Sequence, residues 1–169
     1  MKKNQKLAEI KEKYSKEPPR QATLLFLVND NQILLAMKKR GLGVGKWNGV
    51  GGKSEVGETI EVAARRESFE EINVKPFFLK KVGIINFYHL GKLGYSQGIV
   101  FISKKWKGEP TETDEMAPKW FNINEIPYSE MWDDDILWLP KVLSGKIVEG
   151  NFLFDENQKM LEYEIIELA

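Results

Sequence analysis

The stretch from Gly52 to Val74, GKSEVGETIEVAARRESFEEINV, constrains this chain more tightly than any other. It leaves a Gly51-Gly52 turn and predicts a helix from about Thr59 to Ile72. At ~100° per residue, Glu67, Glu70 and Glu71 fall within an arc of about 100°, with Ile60, Ala63 and Ala64 between them. Like charges on one flank of a helix repel, so a helix formed for packing alone has little reason to group them. A solvated acidic face is the ordinary explanation of such a cluster. The glycine turn ahead of the helix and Arg66 beside Glu67 favour a divalent cation instead. Hard carboxylate oxygens suit magnesium, with manganese as the alternative.

Composition narrows the function classes. At 169 residues the chain fits one domain with a substantial core. Lysine plus arginine and aspartate plus glutamate balance at 25 each, so no global field draws the chain to a nucleic-acid polymer or a membrane. There is no cysteine, which removes disulfides, thiolate zinc sites and cysteine nucleophiles. His89 is the one histidine, so multi-histidine metal sites are absent and a serine triad would depend on it alone. No apolar run spans a bilayer and no stretch has the form of a secretory signal, so a cytoplasmic location is expected.

Taken in order, residues 1–20 form a polar, lysine-rich extension with a short apolar stripe (Leu7, Ile10, Tyr14) and a possible Glu9–Lys13 pair. The domain proper is expected over 21–169. Ala22 to Val28 has the pattern of a buried strand, Asn29 to Gln32 of a turn, and Ile33 to Met37 of its hairpin partner. Lys38, Lys39 and Arg40 precede a glycine-rich loop, and Trp47 to Val50 a short strand. Pro76 to Leu90 and Tyr95 to Ser103 are rich in strand formers around a glycine turn, and Trp120 to Ile123 predicts a further strand. Thr111 to Met116 is an acidic loop able to add a carboxylate to the metal site. Trp132 and Asp133, Asp134 and Asp135 precede a helix from about Ile136 to Leu143, and Lys146 to Leu168 predicts a terminal hairpin. Helices interrupting a mainly β chain imply an α/β (α+β) sandwich with a mixed sheet flanked by helices. An indole beside carboxylates can stack on a base and accept from its N–H groups. Helix capping explains the same aspartates equally well.

Gly52, five residues, Glu58, seven residues, then Arg66 to Val74 resembles the box of the Nudix hydrolases. That family cleaves nucleoside diphosphates linked to another moiety with a metal-activated water. The chain departs from the box at Ser68, where the family prefers an aliphatic residue, and at Asn73, where it prefers glycine; asparagine tolerates the left-handed conformation that ends a helix. Outside the box, Gly45 to Lys53, Glu112 to Met116, and Lys119 to Phe121 through Met131 to Asp135 resemble the branch that hydrolyses oxidised purine nucleoside triphosphates. This resemblance runs from about Ala22 to the carboxyl end.

The resemblance implies a metal site of Glu67, Glu70, Glu71, Glu115 and the Gly51 carbonyl, with Arg66 orienting a glutamate. It implies that Asn48, Asp134 and Asp135 contact the base and that Trp132 stacks on it. Thr23, Lys38, Val50, Gly51, Gly52, Lys53, Phe87 and Asp133 would complete the substrate site. Asp133 stands where the branch has proline, and His89 replaces an aromatic residue. The implied reaction is magnesium-dependent hydrolysis of 8-oxo-dGTP or 2-hydroxy-dATP to monophosphate and pyrophosphate by a monomer, which would sanitise the nucleotide pool and prevent DNA damage. Glu67, Glu71 and Glu115 remain open as the base. Alternatives are a family member acting on a methylated purine nucleotide, a dinucleoside polyphosphate or a nucleotide sugar, or a catalytically silent nucleotide-binding module.

Overall fold

Strand-forming runs buried on both faces set the architecture. The computed structural model describes residues 3–168. Helix α1 (Gln5–Tyr14) leads into β1 (Arg20–Leu27), β2 (Gln32–Lys38), β3 (Trp47–Asn48) and helix α2 (Ile60–Ile72). Then come β4 (Lys75–Pro76), β5 (Lys80–His89), β6 (Tyr95–Ser103), β7 (Trp106–Lys107) and β8 (Met116–Asn122). Helix α3 (Asp135–Leu143) and the hairpin β9 (Val148–Phe154) and β10 (Met160–Glu167) finish the chain.

A five-stranded mixed sheet has the order β1-β6-β5-β9-β10, with β1/β6 and β5/β9 parallel. A three-stranded antiparallel sheet, β3-β2-β8, lies apart from it, and β4 pairs with β7 as a short ribbon. Alternation along β1 and β2 serves two cores. Phe26, Ile33 and Leu35 join Trp138, Val100 and Phe152 on the α3 side. Leu25, Leu27, Leu34 and Ala36 join Ala64, Ile72 and Phe101 on the α2 side. The result is the expected mixed sheet flanked by helices.

Two expectations need correction. Strands β1 and β2 are not a hairpin ladder: they meet at one bridge, Val28 to Ile33, and then part into different sheets. Burying both faces of β1 requires its parallel partner β6, which a local pattern of two strands and a turn cannot announce. Strand β8 also begins four residues before the predicted Trp120, because Pro118 and Lys119 break the apolar run. Proline is tolerated there since β8 is an edge strand.

Helix α1 docks through its apolar stripe. Leu7 is fully buried with Tyr88 and Leu153, and the Leu7 amide donates to Glu162 at 2.7 Å. Lys11 pairs with Glu164 at 2.8 Å, and Glu9 accepts from Gln5 rather than pairing with Lys13. No helix among the described residues is long and apolar enough to cross a membrane.

Candidate active site

Local chemistry fixes both ends of α2. The Thr59 side chain accepts from the Val62 amide at 3.2 Å, the expected N-terminal cap. Asn73 ends the helix at φ 60°, its amide donating to the Phe69 carbonyl, so the departure from glycine is accommodated. Ser68 is fully buried with its hydroxyl unpaired, which makes it the less favourable of the two departures.

The glycine turn lies against the carboxylate flank of this helix. Gly51 N–H donates to Glu71 Oε2 at 2.9 Å. A Cβ on Gly51 would meet the Thr23 carbonyl oxygen at 1.9 Å, and one on Gly52 would meet the Glu67 carboxyl carbon at 2.5 Å. Only glycine permits this approach at either position. Strand β1 holds the turn from the other side: Thr23 N–H donates to the Gly52 carbonyl at 2.8 Å, and Leu25 N–H to the Val50 carbonyl at 2.7 Å. The Gly51 carbonyl lies between these two rungs. Replacing Gly52 by alanine should displace the Glu67 carboxylate and lower kcat at least ~10-fold, with the melting temperature moving by only a few degrees; steady-state kinetics beside thermal melts would check this.

Arg66 braces the cluster. Its guanidinium donates to both oxygens of Glu58, to Glu67 at 2.8 Å, to Glu70 at 3.3 Å and to the Lys53 carbonyl at 3.1 Å. That geometry supports an orienting part. It holds the Glu58 carboxyl below its ordinary range through the Arg66 hydrogen bond. Glu71, only 6% exposed, is pushed up to about 7, first by burial and then by the charges of Glu67 and Glu115. Burial likewise raises Glu67, against the opposing bonds from Arg66. The acidic loop reaches the helix through Thr113, whose hydroxyl donates to the Glu71 carbonyl at 2.7 Å. Glu115 itself pairs with Arg40 at 2.9 Å, and Lys38 and Arg40 line the cleft beside Glu71.

Among the described residues no three carboxylates form a closed ligand cage. Three donors hold the four carboxylates: Arg66 holds Glu67 and Glu70, the Gly51 amide holds Glu71, and Arg40 holds Glu115. The donor set nevertheless fits a hard divalent cation. It offers carboxylate oxygens and a carbonyl, with two acids whose ionised forms are disfavoured where they stand.

Next to this cleft lies a cavity of about 180 Å³ lined by Leu24, Leu42, Asn48, Phe87, His89, Ser96, Trp132, Asp134, Asp135 and Phe154. Asp134 takes the N-cap position of α3 without a side-chain cap bond, and Asp135 lies in the first turn, where a negative charge complements the helix dipole. Instead Asp134 Oδ2 accepts from the Trp138 indole at 2.7 Å, while Asp134 Oδ1 and Asp135 Oδ2 are buried without partners. Burial raises both acids, Asp134 to about 6 and Asp135 well above its ordinary value, with Asp134 adding to the effect on Asp135. Two neighbouring acids pushed upward together can share a proton, and such a pair can donate as well as accept. Trp132 packs edge-on against Phe154, with Lys46 5.4 Å above its ring.

Three sequence candidates lie elsewhere. The Asp133 carboxylate points away from the cavity and accepts from the Met160 amide at 3.1 Å, so it anchors β10. The Val50 side chain is buried in the α2 core. Lys53 is exposed, and its carbonyl serves Arg66. Leu24, Leu42, Ser96 and Phe154 were missed as lining residues, because apolar and small side chains on separate strands carry no motif. Arg40 was legible only as one member of a basic run.

The family model of the NUDIX domain matches residues 18–142. A zebrafish (Danio rerio) protein, oxidized purine nucleoside triphosphate hydrolase, is 46% identical over 146 residues, covering 86% of this chain and 94% of its own. The mouse (Mus musculus) protein of that name is 40% identical over 146 residues with the same coverage of 86% and 94%. The crystal structure of a mutator MutT protein from Bacillus halodurans superposes with a TM-score of 0.78 at 24% identity, covering 86% of this chain and 96% of that one. The glycine turn, the braced glutamates and these matches agree: the chain belongs to the Nudix hydrolase family.

Proposed function

We propose that this enzyme hydrolyses oxidised purine nucleoside triphosphates to the monophosphate and pyrophosphate, with magnesium as its metal and nucleotide-pool sanitation as its role. One observation carries the reading. Leu24, Leu42, Asn48 and Trp132 line both the cavity with the paired aspartates and the channel that reaches Gly51, Gly52 and Glu71. A base seated at the aspartates therefore extends its phosphates toward the glutamates.

Glu67, Glu70, Glu71, Glu115 and the Gly51 carbonyl would hold the metal, which when bound neutralises phosphate charge and lowers the pKa of water. Lys38 and Arg40 supply further positive charge to the polyphosphate. Water attacks one of the two phosphorus atoms that flank the α–β bridge, the bond from that phosphorus to the bridging oxygen breaks, and the products are the monophosphate and pyrophosphate. Glu71 takes the proton in this scheme, because a carboxyl tuned toward neutrality is suited to proton transfer. Arg66 keeps Glu67 in place. At the other end Trp132 stacks on the base, and the aspartate pair, holding one proton, matches the donor and acceptor patterns of more than one oxidised purine. The zebrafish and mouse relatives, whose names specify oxidised purine substrates, support the same assignment.

Pyrophosphate release with magnesium across 8-oxo-dGTP, 2-hydroxy-dATP, O6-methyl-dGTP, dGTP and ADP-ribose tests the proposal. A strong preference for an oxidised purine is expected. Turnover of ADP-ribose alone would keep the reaction class and discard the Trp132 pocket as its specificity site.

A further inference from the structure

The cavity has a second polar end that the reaction scheme leaves unused. His89, on β5, and Ser96, on β6, line it together with the aromatic walls Phe87 and Phe154. His89 is 9% exposed, its ring stacks on Phe154 with centroids 5.2 Å apart at 20°, and its amide is tied to the Gly94 carbonyl. The ring is thus held in one place. Burial first, and Arg20 as an opposing charge, keep its pKa below the ordinary histidine value, so it stands neutral.

A neutral imidazole carries one N–H and one bare nitrogen, and its surroundings decide which is which. His89 Nδ1 is buried without a partner, and so is Gln158 Oε1. Gln158 is also the residue whose side chain acts on this imidazole by hydrogen bonding. These two orphaned atoms complement each other: an Nδ1–H turned to Oε1 would satisfy both and leave Nε2 as the bare acceptor. Leaving both unpaired would carry the penalty of two buried polar groups.

We infer that His89, set in this tautomer by Gln158, determines specificity by accepting from the N7–H of an 8-oxopurine; this rests on the substrate reading proposed above. With its Watson–Crick edge on the aspartates, a purine turns its five-membered ring toward the other polar end. Oxidation at C8 converts N7 from a lone-pair acceptor to an N–H donor. The bare Nε2 therefore attracts an 8-oxopurine and repels an unmodified one, whose N7 presents a second lone pair. 2-Hydroxyadenine keeps an unprotonated N7 and gains nothing at this end.

The test compares kcat/KM for 8-oxo-dGTP, dGTP and 2-hydroxy-dATP in wild type, His89→Phe and Gln158→Asn. Asn shortens the side chain yet suits the left-handed backbone at position 158, where φ is 65°. In both variants the ratio of 8-oxo-dGTP to dGTP should fall ~10-fold, through KM with kcat within about twofold, as expected for loss of a substrate hydrogen bond. Activity on 2-hydroxy-dATP should stay within about threefold. The melting temperature of His89→Phe should not fall, since a ring replaces a ring on Phe154, so poor folding would be visible separately. An unchanged ratio, or an equal loss on all three nucleotides, would overturn the inference while leaving the function standing. A wild type that shows no preference for any oxidised purine would overturn the function, and the inference with it.

Discussion

Converting Glu71 to glutamine should lower kcat by at least ~100-fold while making the protein more stable at pH 8. The two effects share one cause. Burial beneath the glycine turn raises this carboxyl from 4.5 to about 7, which suits it to proton transfer and makes its ionised form unfavourable in the folded chain. The sign follows from proton counting. Because the folded-state pKa lies above the unfolded one, the native state binds more protons between pH 4.5 and 7, and stability falls as pH rises through that window. The gap corresponds to about 3 kcal/mol at full development. Glutamine still accepts from the Gly51 amide through its carbonyl oxygen, so the turn stays in place. Melts with a chelator present at pH 5 and pH 8 should show a gain at the higher pH only. Near-normal turnover in this variant and in Glu67→Gln together would remove the catalytic assignment. A loss of stability at pH 8 would contradict the burial argument.

Asp135→Asn should raise KM for oxidised purines ~10- to 100-fold, the range expected when a charged hydrogen bond to a substrate is lost, and leave kcat within a few-fold. Two adjacent acids whose ionised forms are both disfavoured can share a proton and place it on either member, whereas an amide has its donors and acceptors fixed. Stability moves the other way. Asp135 is 2% exposed with Oδ2 unpaired, and its folded pKa lies well above 3.8, so wild-type stability declines as pH rises above that value. The asparagine variant escapes this decline and should melt higher at pH 8 while differing little at pH 4. Unchanged KM would show that the base does not rest on this residue. The same variant melting lower at pH 8 would show that the buried carboxylate is compensated in a way the hydrogen bonds do not reveal.

The catalytic helix was legible because every signal for it is local: the Thr59 cap, the helical spacing of the glutamates and the left-handed Asn73 all lie within a few residues. The fold around it was legible in part. Runs of apolar residues announced the strands, but the divergence of β1 and β2 depends on β6, whose partner residues lie 76 positions away, as in Gln21 opposite Gln97. The acid pair shows the same limit at side-chain scale. Three successive aspartates are chemically identical in sequence, yet one faces solvent and holds Met160 while two are buried toward the base cavity. Spacing gives the residue types of a site; only the packed elements decide which of several equal residues enters it.

Strand β1 makes the enzyme a ruler as well as a scaffold. Thr23 sits under the glycine turn, its hydroxyl accepting from the Gly52 amide, while the adjacent Leu24 forms part of the cavity wall. One residue step along a strand, about 3.4 Å with a reversal of side-chain direction, therefore divides β1 between the glycine turn and the cavity wall. Eight register pairs with β6 prevent the strand from slipping. A slip by one position would exchange the faces of Thr23 and Leu24 and put an apolar side chain under the turn. Inserting one residue in β1 should therefore displace the glycine turn and the cavity wall together, and lower turnover more than any conservative change in the pocket.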